Sequence, residues 1–537
     1  MPLKVKISLF KPITAILSLC AFLSTAAAQP APSAGRPRLV VGIVIDQLRT
    51  DCLEQLRPLM CADGFRQFMT RGTYMRDLHF QPARLDIASA TAMLFTGATP
   101  DKTGVPSAYT YSATTMRREP TMSDPSAMGN FTSATYSPRS LRLSTITDEV
   151  MIDGAGLGMT HAIATDPQQA LAMAGHAASG ALWLDTNTGK WSTSTYYGDM
   201  PQPASNRNYR HALSARLDTM QWKPMLPLDS YPGLPAQKRY YPFRHTFPSS
   251  GRDVYRQFAA SPKANTEVTD LAIDYINTLR MGSRGDAIDM LCVGLTAAPF
   301  KYVKDGDYRL ELADTYLRLD RDIERLLHAV DKAVGLGNAL IFITSTGYYD
   351  DATHTDAKYK IPGGEFSAKR ALSLLNTYLS GRYGQGDYVS AYADSRFYLN
   401  TGLIEGKKLE REQVAVTAKN FLSKMSGVDR VYTLADILSS TSADEEAWRL
   451  CTDPRSAADL TVEITPGWTL TDDTAYPPVS VPVRRARYHA PAMILGTGVP
   501  ATTVSTPVDA ASLAPTITGL LRLRAPNGAS AAPLLLP

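Results

Sequence analysis

At 537 residues, with 44% hydrophobic and 20% charged residues, the chain is long enough for one large α/β core with insertions, or for two lobes. Its 55 Lys and Arg against 51 Asp and Glu give a formal charge of only +4, and no basic block stands out. That excludes a nucleic-acid partner, because nothing is present to displace condensed counterions from a polyanion.

The chain opens with a targeting segment. Lys4, Lys6 and Lys11 form a basic region, residues 13–23 an apolar one, and Ala26, Ala27 and Ala28 a small-residue cleavage site. Residues 1–28 are therefore expected to leave as a signal peptide, taking three of the 55 basic residues and none of the acidic ones, so the formal charge falls to near +1. The product is expected in the periplasm or cell envelope, or secreted. Lipid attachment at Cys20 would need a small residue where Leu19 stands. No later stretch approaches the roughly 20 apolar residues of a membrane-spanning helix. Cys52, Cys61, Cys292 and Cys451 remain, without CxxC or zinc-finger spacing. Cys52 and Cys61 either close a short disulfide loop in an oxidising compartment or, like the others, are small buried hydrophobes.

After a Pro, Ala and Ser linker over residues 30–37, the run Leu39, Val40, Val41, Gly42, Ile43, Val44, Ile45 reads as a strand buried on both faces of a parallel sheet. Asp46 ends it. In an open α/β sheet the ligand crevice lies beyond the carboxyl ends of the strands, so Asp46 either faces a site or caps the next helix. A helix is predicted over residues 63–71 with Gly72 as its C-cap, and a small-residue helix over 85–96 closed by Gly97 and Pro100. Residues 190–262, rich in Pro, Tyr and Trp (Tyr196, Tyr197, Trp222, Tyr240, Tyr241), read as an irregular cap insertion over the sheet. Residues 314–334 carry a helical stripe of Tyr316, Leu317, Leu319, Ile323, Leu326, Leu327 and Val330, and their Arg and Asp residues are assigned to a solvated or sheet-end face. Residues 339–344 are a further buried strand. A smaller α/β lobe is predicted over about 395–480, with strand 397–399, helix 411–425 and strand 428–432, before the core resumes at 490–495.

Val41-Gly42-Ile43-Val44-Ile45-Asp46-Gln47-Leu48-Arg49, followed by Phe95-Thr96-Gly97-Ala98-Thr99-Pro100-Asp101-Lys102-Thr103-Gly104-Val105, resembles the opening of the alkaline phosphatase superfamily. The branch it is similar to comprises exported alkaline phosphatases related to type I phosphodiesterases and nucleotide pyrophosphatases. Ala174-Gly175-His176, Trp183-Leu184-Asp185, the segment 314–323, Lys360-Ile361-Pro362-Gly363-Gly364-Glu365-Phe366 and the segment 508–516 agree with that branch and run in its order. The resemblance implies an α/β fold over residues 29–537, with a mainly parallel central sheet flanked by helices, cap insertions and a small lobe. It also implies a hydroxyl nucleophile at a helix start and two zinc ions held by six ligands.

Mapped onto this chain, the first ligand is Asp46 and the last is His489, in Tyr488-His489-Ala490-Pro491. The nucleophile position holds Ile87, with Asp86 and Ser89 beside it but out of register. An Asp and a His expected after the strand near residue 295 are Ala297 and Lys301, and Gly347-Tyr348-Tyr349 stands where the family has Asp-His-Gly. Of the phosphate contacts, the expected Asn is Ala108, and the expected Lys and Arg are Asp166 and Gln168. His176, in the family-like turn, reads as structural.

The resemblance therefore points to a protein of phosphate-ester hydrolase ancestry without a catalytic residue or cofactor, binding an unknown protein or small-molecule ligand. An alternative is a rebuilt site for zinc or another divalent metal, using Asp46, Asp86, Asp350, Asp351, His354 and His489, with Asp350 and His354 on one helical face; the competing reading of the 350–354 loop is a solvated turn. Asp46 and His489 could instead be a hydrogen-bonded pair holding strand ends. A third reading is a structural subunit of an envelope complex.

Overall fold

The computed structural model describes residues 35–112, 115, 117–233, 242–251, 253–285, 287–303, 307–350, 363–439, 441–455, 457–474, 478–483 and 488–536. The expected signal peptide, Tyr240, Tyr241, Asp351 and His354 lie outside these. Eleven strands build the central sheet: β1 (Leu39–Asp46), β2 (Thr73–His79), β3 (Gly129–Asn130), β4 (Thr160–Ala164), β5 (Gly180–Leu184), β6 (Trp191–Ser194), β7 (Asp289–Thr296), β8 (Ala339–Ser345), β9 (Ala490–Gly496), β10 (Thr502–Val504) and β11 (Val508–Asp509). Their spatial order is β10-β2-β9-β8-β1-β7-β4-β5-β6-β3, with β11 beside β2.

β1 sits at the centre because every residue in it is buried, as a doubly covered strand requires. It pairs in parallel with β7 and β8, Asp46 opposite Thr296 and Ile45 opposite Ser345, so all three strands end on one edge. β9 runs antiparallel to both β8 and β2 and therefore starts on that same edge, just after His489. Gly42 is where a strand approaches a ring: a Cβ there would stand 2.5 Å from Phe342 of β8.

Alternation along β1 divides the core. Val41, Ile43 and Ile45 pack with helices α3 (Pro262–Thr278) and α4 (Arg309–Val334) on one face. Val40 and Val44 pack on the other with α1 (Ile87–Thr96), α2 (Pro167–Ala174) and α5 (Leu513–Leu520). No helix among the described residues is long and apolar enough to cross a membrane.

Several elements differ from expectation. The helix predicted over residues 63–71 starts two residues later, as Phe65–Arg71, with Gly72 as its C-cap as expected, at an extended φ of −117°. Glycine is needed there because a Cβ would lie 2.3 Å from the Ile494 carbonyl oxygen. The cap region is not irregular throughout: β6 belongs to the main sheet, and Gln202–Arg210 and Val254–Ala259 are helices. Asp331 of α4 is exposed as expected, but Asp314, Asp320 and Asp322 are buried. Asp314 is fully buried and accepts from Trp222 Nε1 (2.6 Å), the Met225 amide (2.6 Å), the Tyr231 hydroxyl (2.7 Å) and Arg318 Nε (2.6 Å), while Asp320 accepts the amides of Cys61 (2.7 Å) and Phe65 (2.9 Å). Cap and loop backbone without ladder partners needs buried acceptors, and α4 supplies them.

The smaller lobe has its own four-stranded sheet, Val389–Ala393, Arg396–Leu399, Leu460–Ile464 and Val428–Thr433, covered by helices Ala368–Tyr383 and Arg411–Leu422 around a separate core. All four described cysteines are free thiols, so the Cys52–Cys61 loop does not form.

Candidate functional site

The strand ends define the site. Asp46 is buried, and its Oδ1 accepts from Thr346 Oγ1 at 2.9 Å. The Tyr348 phenol lies beside the same carboxylate and helps to stabilise its charged form, and Gln47 Nε2 donates to Oδ2 at 3.4 Å. Gln47 adopts a left-handed φ of 57°, which turns its amide onto Thr346 Oγ1 (2.9 Å) and so fixes that hydroxyl towards Asp46. Burial pushes the Asp46 carboxyl up to about 7; the Tyr348, Thr346 and Gln47 hydrogen bonds oppose this, and the charge of Asp350 adds to it. Among the described residues no Lys, Arg or His pairs with Asp46.

After β8, Gly347 takes a left-handed φ of 75°, and the ring of Phe80 lies 2.2 Å from where a Cβ would stand. The space beside Gly347 is thus filled by Phe80, just past the end of β2. Tyr349 hydrogen-bonds the carbonyls of Leu48 (3.0 Å) and His489 (3.3 Å), tying three strand ends together. After β7, Ala297 is buried and donates its amide to the Asp46 carbonyl at 2.8 Å. Lys301 reaches Asp350 at 3.2 Å, and the Asp350 amide donates to Gln47 Oε1 at 2.9 Å.

His489 does not bond Asp46. β9 pairs Ala490 with Leu78, the residues next to His489 and Asp77, and His489 Nδ1 meets Asp77 Oδ2 at 3.0 Å with the ring 66% exposed. Between these groups lies a cleft of about 510 Å³, whose lining includes Asp77, His79, Arg84, Tyr348, Asp350 and His489.

Asp86 is the N-cap of α1. It forms a capping box with Ser89, accepting its amide and hydroxyl at 2.9 Å each, and it also takes the Ala108 amide at 2.5 Å. Ile87 therefore occupies the first helical position, and the Ser89 hydroxyl is buried and committed to Asp86. Burial and the nearby Asp394 raise Asp86, and Arg84 binds Asp394 (2.6 Å) and Ser395 (2.6 Å) of the smaller lobe. Asp166 caps α2 through the Gln169 amide, and Gln168 Nε2 donates to the Ala108 carbonyl at 2.8 Å. His176 is structural, placed between Asp148 (3.3 Å) and the Leu141 carbonyl (2.9 Å).

These side chains do not fit a pair of zinc ions. Ala297 and Gly347 carry no donor, Lys301 is a cation, and Tyr348 places its phenol beside Asp46. Among the described residues no three His, Cys, Asp or Glu converge on one point. Sequence reasoning missed Thr346, Phe80 and Asp77, which carry no motif of their own. The aromatic pair Tyr348-Tyr349 was the available signal.

A family model described as "Type I phosphodiesterase / nucleotide pyrophosphatase" matches residues 40–489. Among curated relatives, the chain is 28% identical over 97% of its length, and 98% of theirs, to a protein of Myroides odoratus named a calcium-transporting ATPase. It is 25% identical to the alkaline phosphatase PafA of Elizabethkingia meningoseptica, covering 94% of this chain and 95% of that one. To the alkaline phosphatase PhoV of Synechococcus elongatus it is also 25% identical, over 92% and 91%. The crystal structure of PafA superimposes with a TM-score of 0.79, covering 93% of this chain and 98% of that one at 25% identity. Strand order, strand-end positions and the match over residues 40–489 together place this chain in the type I phosphodiesterase / nucleotide pyrophosphatase family of the alkaline phosphatase superfamily.

Proposed function

We propose that the protein is a catalytically silent member of this family, exported to the periplasm or cell envelope, that binds a protein or small-molecule ligand through its former cleft or cap and uses no metal cofactor. One observation carries the reading. The Tyr348 phenol stands at a family ligand position and lies beside Asp46, where a buried carboxylate of a metal site would face a cation. Ile87 at the nucleophile position cannot accept a phosphoryl group, and Ala297 and Gly347 support the same conclusion.

The test is turnover of p-nitrophenyl phosphate and bis-p-nitrophenyl phosphate by the purified mature chain with added zinc, beside a His489→Ala variant. Equal rates at the buffer background are expected for both. Turnover lost in the variant would overturn the reading in favour of a rebuilt metal site with Asp46, Asp86, Asp350, Asp351 and His354. Recovery from the envelope in fixed stoichiometry with another protein would assign the binding role to a structural complex.

A further inference from the structure

The cation that the family's phosphate site would present is inverted in sign here, and a second cavity lies beside the inversion. The cavity holds about 300 Å³ and is walled by Tyr109, Tyr136 and Trp183, with Asp166, Asp185 and Gln168 at its polar side. Such a volume suits a small molecule, and aromatic walls with carboxylates suit one that is both apolar and positively charged. Tyr136 and Trp183 meet edge to face with ring centres 5.9 Å apart. Tyr109 already holds one cation, the Arg118 guanidinium, 4.4 Å above its ring.

The carboxylates are not neutralised from within. Asp166 Oδ1 accepts the Gln169 amide, and among the described residues no Lys, Arg or His pairs with it. Asp185 accepts the amides of Asn187 (2.7 Å) and Thr188 (2.9 Å) and the Thr132 hydroxyl, again with no cationic partner among the described residues. Burial pushes Asp166 up to about 6, so above neutral pH its charge persists in a desolvated setting where a cation gains most.

We propose that this cavity binds a small organic cation, a primary or quaternary ammonium, held by Asp166 and Asp185 against the rings of Tyr136 and Trp183. The inference stands on this cavity's own lining and survives whether or not the neighbouring cleft is silent.

The test is calorimetric titration of the full mature chain at pH 8 with tetramethylammonium and n-butylammonium chlorides, against sodium chloride at equal ionic strength, with inorganic phosphate in parallel. One saturable site for an ammonium is expected, weakened about tenfold or more in Asp166→Asn. That variant keeps the helix cap, because an asparagine oxygen still accepts the Gln169 amide. Tyr136→Leu, the second variant, should weaken tetramethylammonium more than n-butylammonium. The proposal is overturned by no saturable ammonium binding, by unchanged affinity in both variants, or by phosphate binding in place of the ammonium.

Discussion

Two buried aspartates, Asp314 in the cap anchor and Asp46 at the strand ends, look alike in burial and differ in everything else. Asp314 accepts from an indole, an amide, a phenol and a guanidinium. Asp46 faces two hydroxyls and a carboxamide, and its carboxyl is raised to about 7. The first is a carboxylate around which the structure was completed. The second is a carboxylate at a strand end whose described hydrogen-bond donors are neutral. Burial alone does not set a buried aspartate's role; the donors that converge on it do.

The comparison breaks first at Asp314. Replacing it by Ala strands the buried Trp222 N–H and the Arg318 guanidinium, and urea unfolding should show a loss of about 3–5 kcal/mol. Equal stability would mean that the cap is not anchored there. Next is Gly347→Asp, which restores the family's residue type in a left-handed backbone against the Phe80 ring. It should destabilise by about 2–4 kcal/mol and gain no zinc, whereas a neutral effect would show room for a ligand. Asp46→Asn keeps an oxygen acceptor for Thr346, so its unfolding free energy should stay within about 1 kcal/mol of wild type, with or without chelator.

The smallest effect belongs to His176 and Asp148. The Asp148 partner raises His176, and although burial opposes it, the hydrogen bonds from His176 and the amides of Thr145 and Ala177 lower Asp148. The His176 contribution is therefore present in full below the ordinary histidine value and fades as pH rises through its raised folded value. That of Asp148 is present above the ordinary carboxylate value and fades as pH falls through its lowered one. With the ring 36% exposed the pair is worth at most about 1 kcal/mol. The stability difference between wild type and His176→Asn should be larger at pH 5.5 than at pH 8.5; the reverse trend would contradict the pairing.

Much of the fold is legible in the chain itself. The unbroken aliphatic run of β1, the small-residue helix α1 with its Gly97 stop, and the stripe of α4 each state their periodicity and burial directly. Asp314, Asp320 and Asp322 of α4 were misplaced because periodicity ranks residues by polarity, and a buried aspartate meeting distant amides looks like a surface one. At the site, the residues set by the resemblance at family positions, Ile87, Ala297, Lys301 and Gly347, were readable one by one. Their neighbours in space were not. Phe80 and Asp77 come from the end of β2 and Thr346 from the end of β8, and they reach Gly347, His489 and Asp46 only once the sheet has brought those strand ends together.

The most direct measurement is the zinc content of the purified mature chain by elemental analysis after incubation with zinc and desalting. The account predicts no zinc above that of a protein without a metal site. Close to two ions per chain would contradict it, and would mean that Asp46 and His489 still belong to a working centre.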